Sequence, residues 1–286
     1  MINKIILFAL FTLITIHNQM SDKKVLICEI NGSNVIPLFI YVNGQFKNAS
    51  VVFDESKQVD YRSSPLFEFK NFYAYSEYGD YIGNIKVDKI TYQEVGCVRR
   101  IVGNFKYPWS DAVKPKFCMN RLIYAKKFYT DNKINKSDST LVLDMGYGIT
   151  RDFLLKNLPG HRIKNIEISR IEKFDIEVDN NPEIFPRISC TIEDQNGSEK
   201  NIISSFILSV SNKDIMYIST TCIGQDGELI AGKGEFVYFD FLADIDGDSI
   251  AEIITMVGYY ESWDYKLLKK YGNKMKEVAV APGGGC

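Results

Sequence analysis

The sequence predicts a mainly β protein, with a hairpin-rich N-terminal domain over residues 22–130 and a C-terminal β domain over residues 140–286. Three observations predict it. Tyr and Phe number 17 and 18 among 286 residues, and with Val and Ile they favour the pleated, half-buried surfaces of strands. The apolar runs are short and bounded by Gly- and Asn-containing turns. Helical patterning is rare, Thr150–Leu158 being its best instance.

The elements follow in chain order. Lys4 precedes an unbroken apolar run, Ile5–Ile16, of 12 residues. About 20 apolar residues are needed to span a bilayer, so this run suits the h-region of a signal peptide instead. Residues 1–21 are read as that signal, with cleavage near Ser21 and a secreted, periplasmic or cell-surface product. A buried N-terminal element and an uncleaved anchor are the alternatives. Val35–Val42 reads as a strand that Asn43-Gly44 turns back, because both residues of a two-residue hairpin turn need positive φ. Tyr73–Ser76 and Tyr81–Val87 form a second pair around Glu77-Tyr-Gly-Asp80. Arg121–Tyr129 fits either a strand or a short helix, and polar Asp131–Ser139 reads as a linker. Leu141–Asp144 is then a short strand and Met145–Gly148 a turn. Thr150 caps a helix that Pro159-Gly160 ends. Ile163–Ile168, Ile202–Val210, Met216–Thr221 and Phe236–Phe241 are further strands, with turns at Gly224–Gly227 and Lys233-Gly234.

Composition narrows the function. A net charge of -2 argues against nucleic acid as a partner. Of the two histidines only His161 follows the signal segment, so His₃ and His₂Glu zinc centres are excluded within one mature chain. No phosphate-binding loop, G-x-G-x-x-G or G-x-S-x-G is present. Six cysteines in an exported chain allow disulfides, with Cys97–Cys118 the nearest pair in sequence. Cys286 ends a Gly-Gly-Gly-Cys tail read as flexible enough to reach a distant partner. Buried free thiols are the alternative.

The densest chemistry lies in Asp244-Ile-Asp-Gly-Asp-Ser-Ile-Ala-Glu252. Acids at alternate places of a tight loop repel one another unless a cation lies among them, and oxygen ligands so spaced are how proteins hold calcium. Asp244, Asp246 and Asp248 would give side-chain oxygens, Ile250 its carbonyl and Glu252 the last carboxylate, while Gly247 lets the loop reverse. Strand-like flanks distinguish the loop from an EF-hand. A weaker copy lies 69 residues earlier: Asp175, Glu177, Asp179 and Glu183 fall at the same first, third, fifth and ninth places. There Val178 replaces the glycine, and a β-branched residue resists positive φ.

The main loop resembles the D-x-D-G-D-x-x-x-[DE] loop of FG-GAP and VCBS-type repeats, over about 30 residues from Phe239 to Leu268. The resemblance implies a C-terminal β-propeller-blade-like domain, a strand-loop-strand calcium loop as a structural staple, and binding of a glycan or protein surface without catalysis. A second function stays open. Glu261 and Asp264 flank Trp263 near Tyr259, Tyr260 and Tyr265, and paired carboxylates beside aromatic rings suit a secreted carbohydrate-active hydrolase.

Overall fold

The computed structural model describes residues 24–52, 61–95, 98–109, 113–130, 133–259 and 261–285. The apolar segment Ile5–Ile16, Ser21, Cys97, Tyr260 and Cys286 lie outside them.

The protein is mainly β, and three antiparallel sheets stack in layers. The N-terminal sheet contains β1 (Val25–Asn31), β2 (Asn34–Val42), β3 (Gln45–Asn48), β4 (Asn71–Tyr75), β5 (Tyr81–Lys86), β6 (Lys89–Val95), β7 (Val98–Asn104) and β8 (Phe117–Met119). Their order is β5-β4-β8-β1-β2-β7-β6, with β3 on β2. Asn43 and Gly44 make the tight β2–β3 turn, at φ 52° and 76°. Helix α1 (Lys136–Asn157) comes next. A helix-covered sheet follows: β9 (Arg162–Phe174), β10 (Glu183–Glu193), β11 (Glu199–Ser209), β12 (Ile215–Ile223) and β13 (Leu229–Gly232). The C-terminal sheet is a plain meander of β14 (Phe236–Ala243), β15 (Glu252–Gly258), β16 (Ser262–Tyr271) and β17 (Lys274–Gly285).

Strand alternation decides the layering. Successive side chains leave a strand on opposite faces, so a strand whose two faces are both apolar lies between two cores. In β16, Leu267 packs with Ile27, Phe39 and Phe117 of the N-terminal sheet, while Leu268 packs with Phe174, Phe185 and Ile207 of the helix-covered sheet. The C-terminal sheet is therefore the central layer. The other face of the N-terminal sheet closes on Leu26, Cys28, Phe72 and Ile101. Helix α1 seals the outside of its sheet through Val142, Ile149 and Leu154. Among the described residues no helix is long and apolar enough to cross a membrane.

Three expectations are corrected. Residues 136–148, read as linker, strand and turn, are the first half of α1. The helix begins earlier because Asn135 and Asp138 form a reciprocal capping box: the Asn135 side chain accepts from Asp138 N at 2.9 Å, and Asp138 accepts from Asn135 N at 3.1 Å. Gly146 does not turn the chain but lets the helix approach the sheet, since a Cβ there would stand 2.5 Å from Ile188 Cδ1. Secondly, Gly283–Gly285 is no flexible tail. It is the end of β17, paired with Ser262 and Trp263, and the Trp263 side chain fills the space that a Cβ on Gly283 or Gly284 would need. Thirdly, Cys118, read as the first partner of Cys97, lies in the buried core directly across from Cys28; Cys28, Cys118, Cys190 and Cys222 are all buried and reduced here, with no disulfide among the described residues.

Candidate functional site

The loop at 244–252 joins β14 to β15, whose register sets Ala243 opposite Glu252. The loop at 175–183 joins β9 to β10 with the equivalent pairing, Phe174 opposite Glu183. The two share one backbone frame. The ninth-place carboxylate accepts from the second-place N–H: Glu252 from Ile245 at 2.8 Å, and Glu183 from Ile176 at 3.1 Å. The first-place carboxylate accepts from the sixth-place N–H: Asp244 from Ser249 at 3.1 Å, and Asp175 from Asn180 at 2.8 Å. The fifth-place carboxylate accepts from the N–H two residues on: Asp248 from Ile250, and Asp179 from Asn181, both at 2.9 Å. The fourth and sixth places take positive φ in both, 86° and 72° at Gly247 and Ser249, 55° and 66° at Val178 and Asn180. Val178 thus adopts the conformation its branched side chain disfavours. The loops also touch, with Ala251 N donating to Ile176 O at 2.8 Å.

The side chains at the remaining places differ. Carboxylate oxygens of Asp244, Asp246 and Glu252 lie within 4.8 Å of one another. Asp248 joins them through Lys269, whose Nζ pairs with Asp246, with Asp248 at 2.7 Å and with Glu252 at 3.1 Å. By register Lys269 stands across from Glu252, next to the Ile253–Leu268 pair. Ile250 closes the loop through its N–H bond to Asp248. In the earlier loop the acids spread apart. Lys270 pairs with Glu177 alone, at 2.5 Å, and Asp179 turns to Asn181. Among the described residues, 175–183 forms no comparable group of three carboxylates.

Burial sets the electrostatics. Loss of water, followed by the Asp246 charge, pushes the Glu252 carboxyl up to about 8, against the pull of Lys269 and the Ile245 N–H. Burial raises Asp244 too, with the Gly247 N–H opposing. Burial alone would lower Lys269, but the Glu252 charge and the bonds to Asp246, Asp248 and Glu252 hold its ammonium well above the ordinary value. Glu183 rises to about 7, again chiefly through burial. Hydrogen bonds from Asn181 hold Asp179 low.

Three of the four acids of 244–252, Asp246, Asp248 and Glu252, therefore meet one ammonium, while Asp244 is held by backbone N–H groups and feels the charge of Lys127. Every donor is a hard carboxylate oxygen of the kind calcium takes. A cleft of about 270 Å³ lined by Gly44, Gln45, Phe46, Asp246, Lys269 and Tyr271 leads to the cluster. Sequence reasoning missed Lys269, which sits in the polar-ended strand Ser262–Tyr271 and reaches the acids only through strand register.

The other expected acids stand elsewhere. Glu261 is exposed. Tyr265 is buried between the N-terminal and C-terminal sheets, so it serves the core. His161 is half-buried, with Nε2 3.0 Å from Lys200 Nζ.

Fold and site together define a three-layered, mainly β protein with an acid-rich strand-loop-strand cluster in its central sheet. No family model matches the chain, and no curated protein or solved structure matches it, so the reading of this site rests on its own geometry.

Proposed function

We propose that the protein is an exported, calcium-stabilised binding or cell-envelope module, in which an ion held at Asp244–Glu252 stiffens the central sheet. Asp244, Asp246, Asp248 and Glu252 would hold the ion with their carboxylates, and Ile250 with its carbonyl. The observation carrying this reading is the convergence of the Asp244, Asp246 and Glu252 oxygens within 4.8 Å on a loop whose frame is fixed by other bonds. The export step rests on Ile5–Ile16, and the ligand class, a glycan or a protein surface, on the likeness of the loop to FG-GAP and VCBS-type repeats. Lys269 is the rival cation. It neutralises part of the cluster, and calcium displaces it from the same oxygens.

Thermal melting in calcium and in chelator tests this. With a dissociation constant of roughly 10⁻⁴–10⁻³ M, about 10 mM calcium stabilises by about 1.4–2.7 kcal/mol. Asp246→Asn abolishes the difference. Identical wild-type melting in calcium and chelator sinks the reading. It also favours a second one, drawn from the three contacts of Lys269, in which the ammonium is the permanent cation of the loop.

A further inference from the structure

The centre of the N-terminal sheet holds two cysteines face to face. The β1–β8 register pairs Ile27 with Met119, Cys28 with Cys118 and Glu29 with Phe117. Ile30 N donates to Lys116 O at 2.8 Å, and Asn120 N to Leu26 O at 3.3 Å, two residues to either side. That parity makes Cys28 and Cys118 a hydrogen-bonded pair, for which the Cα atoms of an antiparallel ladder lie about 5.5 Å apart. Disulfides usually span roughly 4.4–6.8 Å between Cα atoms and about 3.5–4.5 Å between Cβ atoms. A hydrogen-bonded pair meets the first range, and its Cβ atoms, up to about 5.5 Å apart, must close by about 1 Å on bridging. Both side chains leave the same face into one apolar cluster.

The other described pair fails the same geometry. Cys190 and Cys222 also share a face, but Ile202 of β11 stands between them in register. They are two strand spacings apart, about 9.5 Å, beyond the reach of a bridge.

We propose that Cys28 and Cys118 are joined by a cross-strand disulfide when the chain folds in the presence of an oxidising disulfide. A cysteine thiolate attacks one sulfur of that disulfide, forming a mixed disulfide and releasing one thiol. The second cysteine thiolate attacks the protein-bound sulfur of the mixed species, closing the Cys28–Cys118 bond and releasing the second thiol. The two cysteines are oxidised, the reagent is reduced to two thiols, and the two cysteine protons end on those thiols. The exchange belongs to assembly, because both thiols have no exposure in the finished core. Its position matters: β8 is three residues long and alone connects β4-β5 to β1-β2 in the sheet order. A bridge there holds the two halves of the sheet together.

The full chain, produced in an oxidising secretory compartment and in a reducing cytosol, is blocked with an alkylating reagent under denaturing conditions, digested and mapped by mass spectrometry. Expected from the oxidising source is a linked peptide pair containing Cys28 and Cys118, lighter by two hydrogens, with Cys190 and Cys222 alkylated. The same bond raises the Tm by about 5 °C or more over the reduced form. That rise disappears in Cys28→Ala and in Cys118→Ala, and persists in Cys190→Ala. Alkylated Cys28 and Cys118 from the oxidising source overturn the proposal, as does linkage of Cys118 to Cys97 or Cys286. Wild-type mapping decides the matter even where an alanine variant does not fold, and it reads nothing from calcium.

Discussion

The loops at 175–183 and 244–252 have one backbone frame and two different charge arrangements. In both, the first and ninth carboxylates are spent on backbone N–H groups of the loop itself. The third and fifth carboxylates separate them. Asp246 and Asp248 converge with Glu252 on Lys269, whereas Glu177 and Asp179 point to different partners. An acid in such a loop is thus ambiguous by itself: one oxygen can cap the backbone while the other meets a cation, as in Glu252 and Asp248, or both can be taken up locally, as in Asp179. Counting acids cannot tell the two roles apart, but their hydrogen bonds can.

Removing the internal cations should break the comparison most sharply. Lys269→Met in chelator leaves Asp246 and Glu252 buried without compensation, and is expected to cost about 3 kcal/mol in urea denaturation. Lys270→Met, which strips a partner from the more exposed Glu177, is expected to cost about 1 kcal/mol or less. Equal losses would mean that the two loops are electrostatically alike. Calcium should restore part of the Lys269→Met loss and none of the Lys270→Met loss.

The fourth place gives the next contrast. Gly247→Val puts a branched residue at φ 86° and should destabilise by about 1–3 kcal/mol. Val178→Gly relieves the same conformation at φ 55°, but frees the unfolded chain, so a gain of at most about 1 kcal/mol is expected. A loss on Val178→Gly would show that the half-exposed valine contributes packing that outweighs its strain.

The smallest contrast is in pH. Glu183 and Glu252 have folded values of about 7 and about 8, above the ordinary glutamate value of 4.5. The folded chain therefore holds more protons than the unfolded one across that window. Stability in chelator should be fullest below pH 4.5 as far as these groups go, and should fall as pH rises. Glu183→Gln should remove the part of the decline that runs from about pH 4.5 to about 7, and Glu252→Gln the part that runs from about pH 4.5 to about 8. A stability curve that rises from pH 5 to 8 in both variants and wild type alike would contradict the burial assigned to the two carboxyls.

Much of this was legible in the sequence, and the remainder was hidden for definite reasons. Strands such as β2, β11 and β14 carry local signals, in branched and aromatic runs ended by turn residues, and the acids of 244–252 announce themselves by spacing. Lys269 is a partner by register, across two strands of a meander, and no local spacing encodes it. The start of α1 was obscured because its glycines and polar first turn look like a linker. Gly146 earns its place only against Ile188, which lies on β10. The final glycines likewise make sense only once Trp263 is laid across them.

One consequence of the β16 lysines concerns how that strand is threaded. Lys269 and Lys270 are sequence neighbours and leave opposite faces of β16, one to the acids of the central sheet's own loop and the other to Glu177 of the helix-covered sheet's loop. A slip of β16 by a single residue would turn both ammonium groups away from their acids at once, and would exchange Leu267 and Leu268 between the two cores. The adjacent pair of cations acts as a proofreading mark, penalising a mis-threaded strand on both of its faces.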